Sequence, residues 1–166
     1  LFQWNGQFSP QFVEALIEEY SDEGDYIFDP FLGSGTVLLE CSRLNRNGSG
    51  SDINPAAYSI SRLYQLTTVD KNVRKNLINN LNSKIKKIID ESLSITDSKK
   101  EKIAFDYIVE ELIKLAATCI NGSDRIILDA FVVLLDKDTY RSKPDKIFKL
   151  WEELSFTLID LPHTKS

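Results

Sequence analysis

Apolar residues are arranged in two ways along this chain. Up to Thr68 they come in short runs broken by polar and glycine-rich turns; beyond it they recur at helical spacing over long stretches. Phe12, Val13, Leu16, Ile17 and Tyr20 mark one face of a first helix, with Ser9 as its N-cap and Pro10 at its first position. Ser21-Asp22-Glu23-Gly24 ends it, and Tyr26-Ile27-Phe28 reads as a strand. Val37 to Leu44 is the next expected helix, and Asn45-Arg46-Asn47-Gly48 the loop after it, with Gly48 as the helix stop or turn. A second strand, Gly48 to Ile53, is poor in apolar and β-branched residues and rests on its position alone. Pro55 opens a further helix carrying Ala56, Ala57, Ile60, Leu63 and Tyr64.

The second regime is helical. Val73, Leu77, Ile78, Leu81, Ile85, Ile88 and Ile89 form a stripe at helical spacing, and Asp90 to Lys100 is expected to be a polar linker. Ile103, Tyr107, Ile108, Leu112, Leu115 and Ala116 predict another helix, stopped near Asn121-Gly122. Asp124 to Leu135 is very apolar, and its length favours a helix over a buried strand. Tyr140 to Pro144 reads as a loop, Asp145 to Leu154 as a helix, and Ser155 to Asp160 as a strand. The expected order is α-β-α-β-α followed by a helical block.

The chemistry concentrates at Asp29-Pro30-Phe31-Leu32-Gly33-Ser34-Gly35-Thr36, between the first strand and the second helix. Two glycines one residue apart let backbone approach a ligand without Cβ clashes. The first N–H groups of the following helix offer donors to an anionic or polar group. These residue types also build ordinary surface turns. Their place between an apolar strand and an apolar helix start argues for a ligand turn. Asp52, in Ser51-Asp52-Ile53-Asn54-Pro55, lies 23 positions after Asp29, about where a Rossmann-like fold puts the acid that holds ribose hydroxyls. The plain alternative for Asp52 is a turn or N-cap before Asn54-Pro55.

Three elements in this order resemble the cofactor half of the amino-group DNA methyltransferases, which methylate the exocyclic nitrogen of adenine or cytosine. Asp29 to Thr36 match the family's first motif at every fixed position. Gly50-Ser51-Asp52-Ile53-Asn54-Pro55 matches the second, with Ser51 in place of an apolar residue. Phe8-Ser9-Pro10 and the helix after it resemble the element upstream of the first motif. The resemblance covers roughly the first 65 residues.

It implies a partial Rossmann-like class I methyltransferase fold of α/β class, with a helical block in the C-terminal half. Residues 1–66 would be the S-adenosylmethionine-binding part, and residues 67–166 a helical insertion or subdomain leading towards the catalytic part. Gly33 and Gly35 would let the turn, with Pro30 in it, approach the methionine end of the cofactor. Asp29 would meet its amino group, Asp52 its ribose hydroxyls and Ile53 its adenine. Phe8 and Phe31 would form apolar walls, and Ser34 and Thr36 would supply local hydrogen bonds. The implied substrate is DNA, and the implied partner a restriction endonuclease or recognition subunit. The family's Pro-Pro-aromatic catalytic loop is not found, so the catalytic residues are unassigned. The nearest string, Asp160-Leu161-Pro162-His163, lacks the first proline and the aromatic ring. His163 is therefore expected at the surface and not as a general base.

Composition narrows the setting. The chain of 166 residues is 42% hydrophobic and 27% charged, as for a folded globular protein. No apolar run nears the roughly 18 residues of a membrane span and no signal peptide is visible, which predicts a cytoplasmic location. Cys41 and Cys119 are too few for a metal cluster and read as buried free thiols. The chain lacks methionine, begins at Leu1 and offers fewer strands than a complete class I fold, so a fragment of a larger enzyme is expected. Net charge is −5, which does not announce nucleic-acid binding. Residues 1–66 hold three basic and nine acidic residues, whereas Lys71 to Ile89 hold six basic and no acidic ones. Lys84, Lys86 and Lys87 in that stretch could contact phosphates or form a solvated face opposite the apolar stripe. An RNA guanine-amino methyltransferase and a non-catalytic cofactor-binding module share the cofactor signature; the Phe8-Ser9-Pro10 element favours DNA.

Overall fold

The computed structural model describes residues 7–94, 101–119, 122–136, 140, 143 and 145–163. The chain forms two compact units, Leu1–Lys71 with Asp160–Ser166, and Asn72–Ile159. It mixes helices with a small parallel sheet. No helix among the described residues is long and apolar enough to cross a membrane.

The first unit starts with α1 (Pro10–Tyr20), where the Ser9 hydroxyl accepts from the Phe12 N–H at 3.2 Å. Strand β1 (Tyr26–Asp29), helix α2 (Thr36–Arg43) and strand β2 (Asn47–Gly50) follow. The strands pair in parallel, Tyr26 opposite Asn47 and Asp29 opposite Gly50, so α2 is the crossover of a βαβ unit. Val13, Ile17 and Cys41 form a small core, with Ile27, Val37 and Leu44 packed on it. Helix α3 (Pro55–Ser61) is capped by Asn54, whose side chain accepts from Ala56 N–H at 3.0 Å. Its continuation tightens into a 3-10 helix, Arg62–Thr68, that buries Leu63, Tyr64 and Leu66.

Two expectations around β2 are corrected. Gly48 does not stop α2; Asn45 does, at φ 56° in the left-handed region. The Arg46 N–H returns to the Cys41 carbonyl at 2.8 Å, which closes the helix in Schellman fashion. The strand runs Asn47–Gly50, not Gly48 to Ile53. It can lack apolar side chains because its neighbours lie against its backbone. A Cβ on Gly48 would lie 3.1 Å from Leu38 and 3.2 Å from Cys41, and one on Gly50 only 2.5 Å from the Asp29 carbonyl.

The second unit is helical: α4 (Lys71–Ser94, starting on the last residue before the unit), α5 (Glu101–Thr118), α6 (Gly122–Leu135) and α7 (Asp145–Ile159). Its core includes Ile78, Leu81 and Ile85 of α4, Ile108 and Leu112 of α5, Phe131 of α6 and Trp151 of α7. Phe131 meets Trp151 edge-on at 5.2 Å, and the Trp151 indole donates to Asn82 Oδ1 at 3.0 Å, so the buried ring keeps its polar handle satisfied.

Other boundaries and faces move. Helix α4 overruns the expected polar linker as far as Ser94, because Ile88, Ile89 and Ser92 prolong its buried stripe; residues 95–100 lie outside the described residues. Its stripe starts from Arg74, which is buried and so is no surface phosphate contact, while Val73 is exposed. On α5, Ala104 and Phe105 are buried and Ile103 is exposed. Helix α5 ends at Thr118, close to the expected stop, and Gly122 opens α6. Ser155 to Ile159 is helix, not strand: Trp151, Leu154 and Leu158 are buried at helical spacing while Phe156 is exposed. The expected loop Tyr140 to Pro144 falls mostly outside the described residues. Cys41 is buried, with its thiol pKa pushed up to about 11 by burial. Cys119, beyond the end of α5, is only half-buried.

Candidate functional site

Both family-like motifs emerge at the carboxyl ends of the two parallel strands, where open α/β sheets bind ligands. Asp29 is the last residue of β1, and its Oδ1 accepts from the Phe31 N–H at 2.9 Å. That contact bends the chain into the glycine turn. Gly33 and Gly35 both take positive φ, 52° and 87°, which glycine adopts without strain. Gly35 is the N-cap of α2 and has no side chain to cap it, unlike Ser9 on α1 and Asn54 on α3. Leu39 is the N–H that reaches back to the Gly35 carbonyl, at 3.1 Å. The N–H groups earlier in α2 have no acceptor within the helix.

The two motifs are stitched together. Ser51 N–H donates to the Asp29 carbonyl and Leu32 N–H to the Ser51 carbonyl, each at 3.0 Å. The Ser51 hydroxyl donates to the Pro30 carbonyl at 3.3 Å, a role that the usual apolar residue could not take. Asp52 Oδ2 accepts from the Gly33 N–H and Oδ1 from the Asn54 N–H, both at 2.8 Å. Asp52 is thus not the N-cap of α3, a role Asn54 fills; it braces the glycine turn from the second strand. The N–H groups of Asn54 and Gly33 hold the Asp52 carboxyl below its ordinary range.

Apolar side chains in and beside the two motifs are left exposed. Ile53 and Phe31 are almost fully exposed, and Phe8 is 66% exposed beside Phe12, ring centroids 5.4 Å apart. Ser34 and Thr36 are buried. Gln7 Nε2 donates to the Thr36 hydroxyl at 2.6 Å, which ties Gln7 to the start of α2. Asp29, Pro30, Phe31, Gly33, Ser34, Gly35, Thr36, Asp52 and Ile53 therefore share one end of the sheet, with Phe8 next to a residue anchored there. The donor set suits a nucleoside-type cofactor: uncapped N–H groups, a held carboxylate at the second strand and bare apolar side chains for a base. Among the described residues no cluster of side chains could hold a metal.

Gln7 and Ser51 tie the two motifs to their surroundings and carry no sequence signal of that role. Glu40 of α2 is completely buried; Arg43 donates to its Oε2 at 2.7 Å and its Oε1 has no hydrogen-bond partner among the described residues. Burial raises its pKa, against the pull of the Arg43 charge. The remaining candidates lie apart in sequence. Lys84, Lys86 and Lys87 are exposed on α4, and Lys87 pairs with Glu91 at 3.7 Å. His163 is exposed, its Nδ1 3.0 Å from the Thr67 carbonyl, and Asp160 pairs with Lys71 at 2.9 Å, so this string forms a tied-down turn.

The two motifs thus meet at one glycine turn in a mixed fold with a small parallel sheet. The family model for DNA methylases of the N6/N4 amino group matches residues 2–63, and through this part the chain belongs to the amino-group DNA methyltransferase family. It is 32% identical over 112 residues to type II methyltransferase M.MjaII of Methanocaldococcus jannaschii, covering 68% of this chain and 19% of that protein. It is 54% identical over 41 residues to M.HpaI of Haemophilus parainfluenzae, covering 25% of this chain and 13% of that one. It is 39% identical over 64 residues to M2.DpnII of Streptococcus pneumoniae, covering 36% and 24%. The chain thus spans less than a quarter of each of these relatives. The M.MjaII match is too long to fit within residues 1–66, so the likeness reaches into the helical part, where the sequence shows no motif. No solved structure matches the chain.

Proposed function

We propose that this chain is the S-adenosylmethionine-binding part of a site-specific DNA methyltransferase of a restriction–modification system. The reaction would move a methyl group to the exocyclic amino group of adenine or cytosine in DNA. One observation carries the reading most: the Gly33–Asp52 hydrogen bond, which makes the two motifs one site at the carboxyl end of the sheet. The family and the type II relatives favour DNA over RNA as the substrate.

When bound, the cofactor supplies a methyl on a sulfonium, an intrinsically good leaving group, so the protein's task is positioning. The first N–H groups of α2 and the Asp29 carboxylate would hold the methionine end. Asp52 accepts the Gly33 and Asn54 N–H groups within the chain, and its remaining acceptor capacity would take the ribose hydroxyls. Ile53 would pack on the adenine and Phe31 and Phe8 would close the apolar sides; their exposure leaves them available for it. Residues 1–66 would be a portion of a Rossmann-like class I domain, and residues 67–166 a helical insertion, into which the likeness to M.MjaII extends. A restriction endonuclease or recognition subunit is the partner, and the cytoplasm the place, that go with this reading. On α4, Lys87 is matched by Glu91, and Asp90 lies in the same shallow groove, so we assign Lys84, Lys86 and Lys87 to a solvated face.

Calorimetric titration of the chain with S-adenosylhomocysteine tests the cofactor half. Saturable binding that disappears in Asp52→Ala, with the variant's circular dichroism unchanged, is the expected result. A folded wild-type chain without binding would refute the reading.

A further inference from the structure

Gly35 combines a left-handed φ of 87° with a neighbour on the side where a Cβ would stand. That atom would lie 2.8 Å from both Cδ2 and Cε2 of Tyr64, nearer than real Cβ atoms approach their neighbours, and a tight 3.1 Å from the Ser61 Cβ. The room that the second glycine opens is therefore filled by the chain's own aromatic ring, not left for a ligand. Tyr64 is 6% exposed and sits in the 3-10 helix, where the Thr67 hydroxyl donates to its carbonyl at 2.7 Å. Burial, helped by the Glu40 carboxylate, raises the pKa of its phenol, so the ring stays neutral against the turn.

Gly35 also governs the start of α2. It is the N-cap of that helix, and its N–H donates to the Leu32 carbonyl at 2.9 Å. Its carbonyl takes the first helical bond from Leu39. A shift of Gly35 therefore re-aims every free N–H at the start of α2. Asp52 holds the turn at Gly33 from one side, and a flat ring touches it at Gly35 from another. We infer that Tyr64 is a positioning residue of the cofactor site, whose ring backs Gly35 and sets the direction of the α2 N–H donors. The inference rests on the reading of Asp29 to Thr36 as the cofactor turn, and it makes Tyr64 a determinant of affinity without contact to the ligand.

Calorimetry with S-adenosylhomocysteine on the whole chain, with parallel denaturant unfolding, separates the possibilities. Tyr64→Phe keeps the ring and should bind within about twofold of wild type, whereas Tyr64→Leu should weaken binding by on the order of tenfold or more, as misaimed groups do. Leu63→Ala, buried on the same 3-10 helix, is the control for stability loss alone and should bind as wild type while folded. In the Tyr64→Leu background, Gly35→Ala should be less harmful than in wild type, since the ring it would strike is gone. A folded Tyr64→Leu variant that binds as wild type overturns the inference and leaves the cofactor reading intact. Equal losses in Tyr64→Leu and Leu63→Ala also overturn it, by making the effect one of general stability. A wild-type chain that does not bind overturns both.

Discussion

The Asp52 carboxylate accepts the Gly33 N–H at 2.8 Å across 19 positions of chain. The residue proposed for ribose recognition is also a brace for the loop that would hold the other end of the cofactor. On the proposed reading site geometry and ligand recognition would be coupled in one side chain, and its variants should not behave as simple losses of a ligand bond.

Asp52→Asn tests that coupling. An amide can accept with its oxygen, but its NH2 would face one of the two backbone N–H donors, so at least one of the present bonds is broken. Affinity for S-adenosylhomocysteine should fall by roughly tenfold in Asp52→Asn and further in Asp52→Ala, consistent with loss of charge-assisted bonds. Amide exchange at Gly33 should quicken in both. Unchanged Gly33 exchange would show that Asp52 does not brace the turn.

Gly35→Ala should destabilise the first unit by about 1–3 kcal/mol, from a left-handed non-glycine residue and a methyl pressed on the Tyr64 ring. Gly24→Ala is the control: its φ is also positive, at 90°, but nothing lies within 4 Å of its Cβ position. Denaturant midpoints should rank wild type, Gly24→Ala, Gly35→Ala in falling order. Equal losses would mean that backbone strain alone, and not the ring, sets the need for glycine.

Two carboxyls give opposite pH signs. Asp52 titrates below its ordinary value, so its contribution is complete above the unfolded carboxylate range and is lost only as pH falls through the lower folded value. Glu40 titrates above its ordinary 4.5, so the folded state holds the proton more tightly and stability drops as pH rises from 4.5 through the raised folded value. Glu40→Gln should therefore gain on wild type as pH rises through that window, read from midpoints at a series of pH values. A difference that stays constant with pH would rule out Glu40 as the titrating group.

Reversing Lys84, Lys86 and Lys87 to glutamate in the enzyme that carries this segment should leave the salt dependence of DNA binding unchanged. If the three instead touched phosphates, the slope would become shallower by about 0.9 for each phosphate no longer neutralised. Affinities on one duplex across a range of salt concentrations decide it.

The helix start at Ser9 and Pro10 and the turn after the first strand were legible because each is a local pattern of capping and turn residues, whereas the Asp52–Gly33 bond spans 19 positions and left no such pattern. The other support of the turn was not legible either. Tyr64 reads as one more apolar residue at helical spacing, and its approach to Gly35 spans 29 positions. Strand β2 was nearly invisible because its glycines yield to α2 and to the Asp29 carbonyl, which leaves no apolar alternation to read. Ser155 to Ile159 misled because five residues cannot separate a period of 2 from one of 3.6; the preceding Trp151 and Leu154 supply the helical phase. Val73 and Arg74 were exchanged for a related reason. Hydrophobicity placed Val73 inside, but the helical phase set by Ile78, Leu81 and Ile85 puts Arg74 there.

If Asp29 to Thr36 and Asp52-Ile53 together form one S-adenosylmethionine site, a single ligand must be felt by both segments at once. A nitrogen-15 NMR titration of the chain with S-adenosylhomocysteine reports this residue by residue. The amides of Gly33 to Val37 and of Asp52 and Ile53 should shift together along a single saturation curve, while those of Lys84, Lys86 and Lys87 stay still. A folded chain whose turn amides do not move, or whose shifts centre on α4 to α7, would show that the two segments are not one cofactor site.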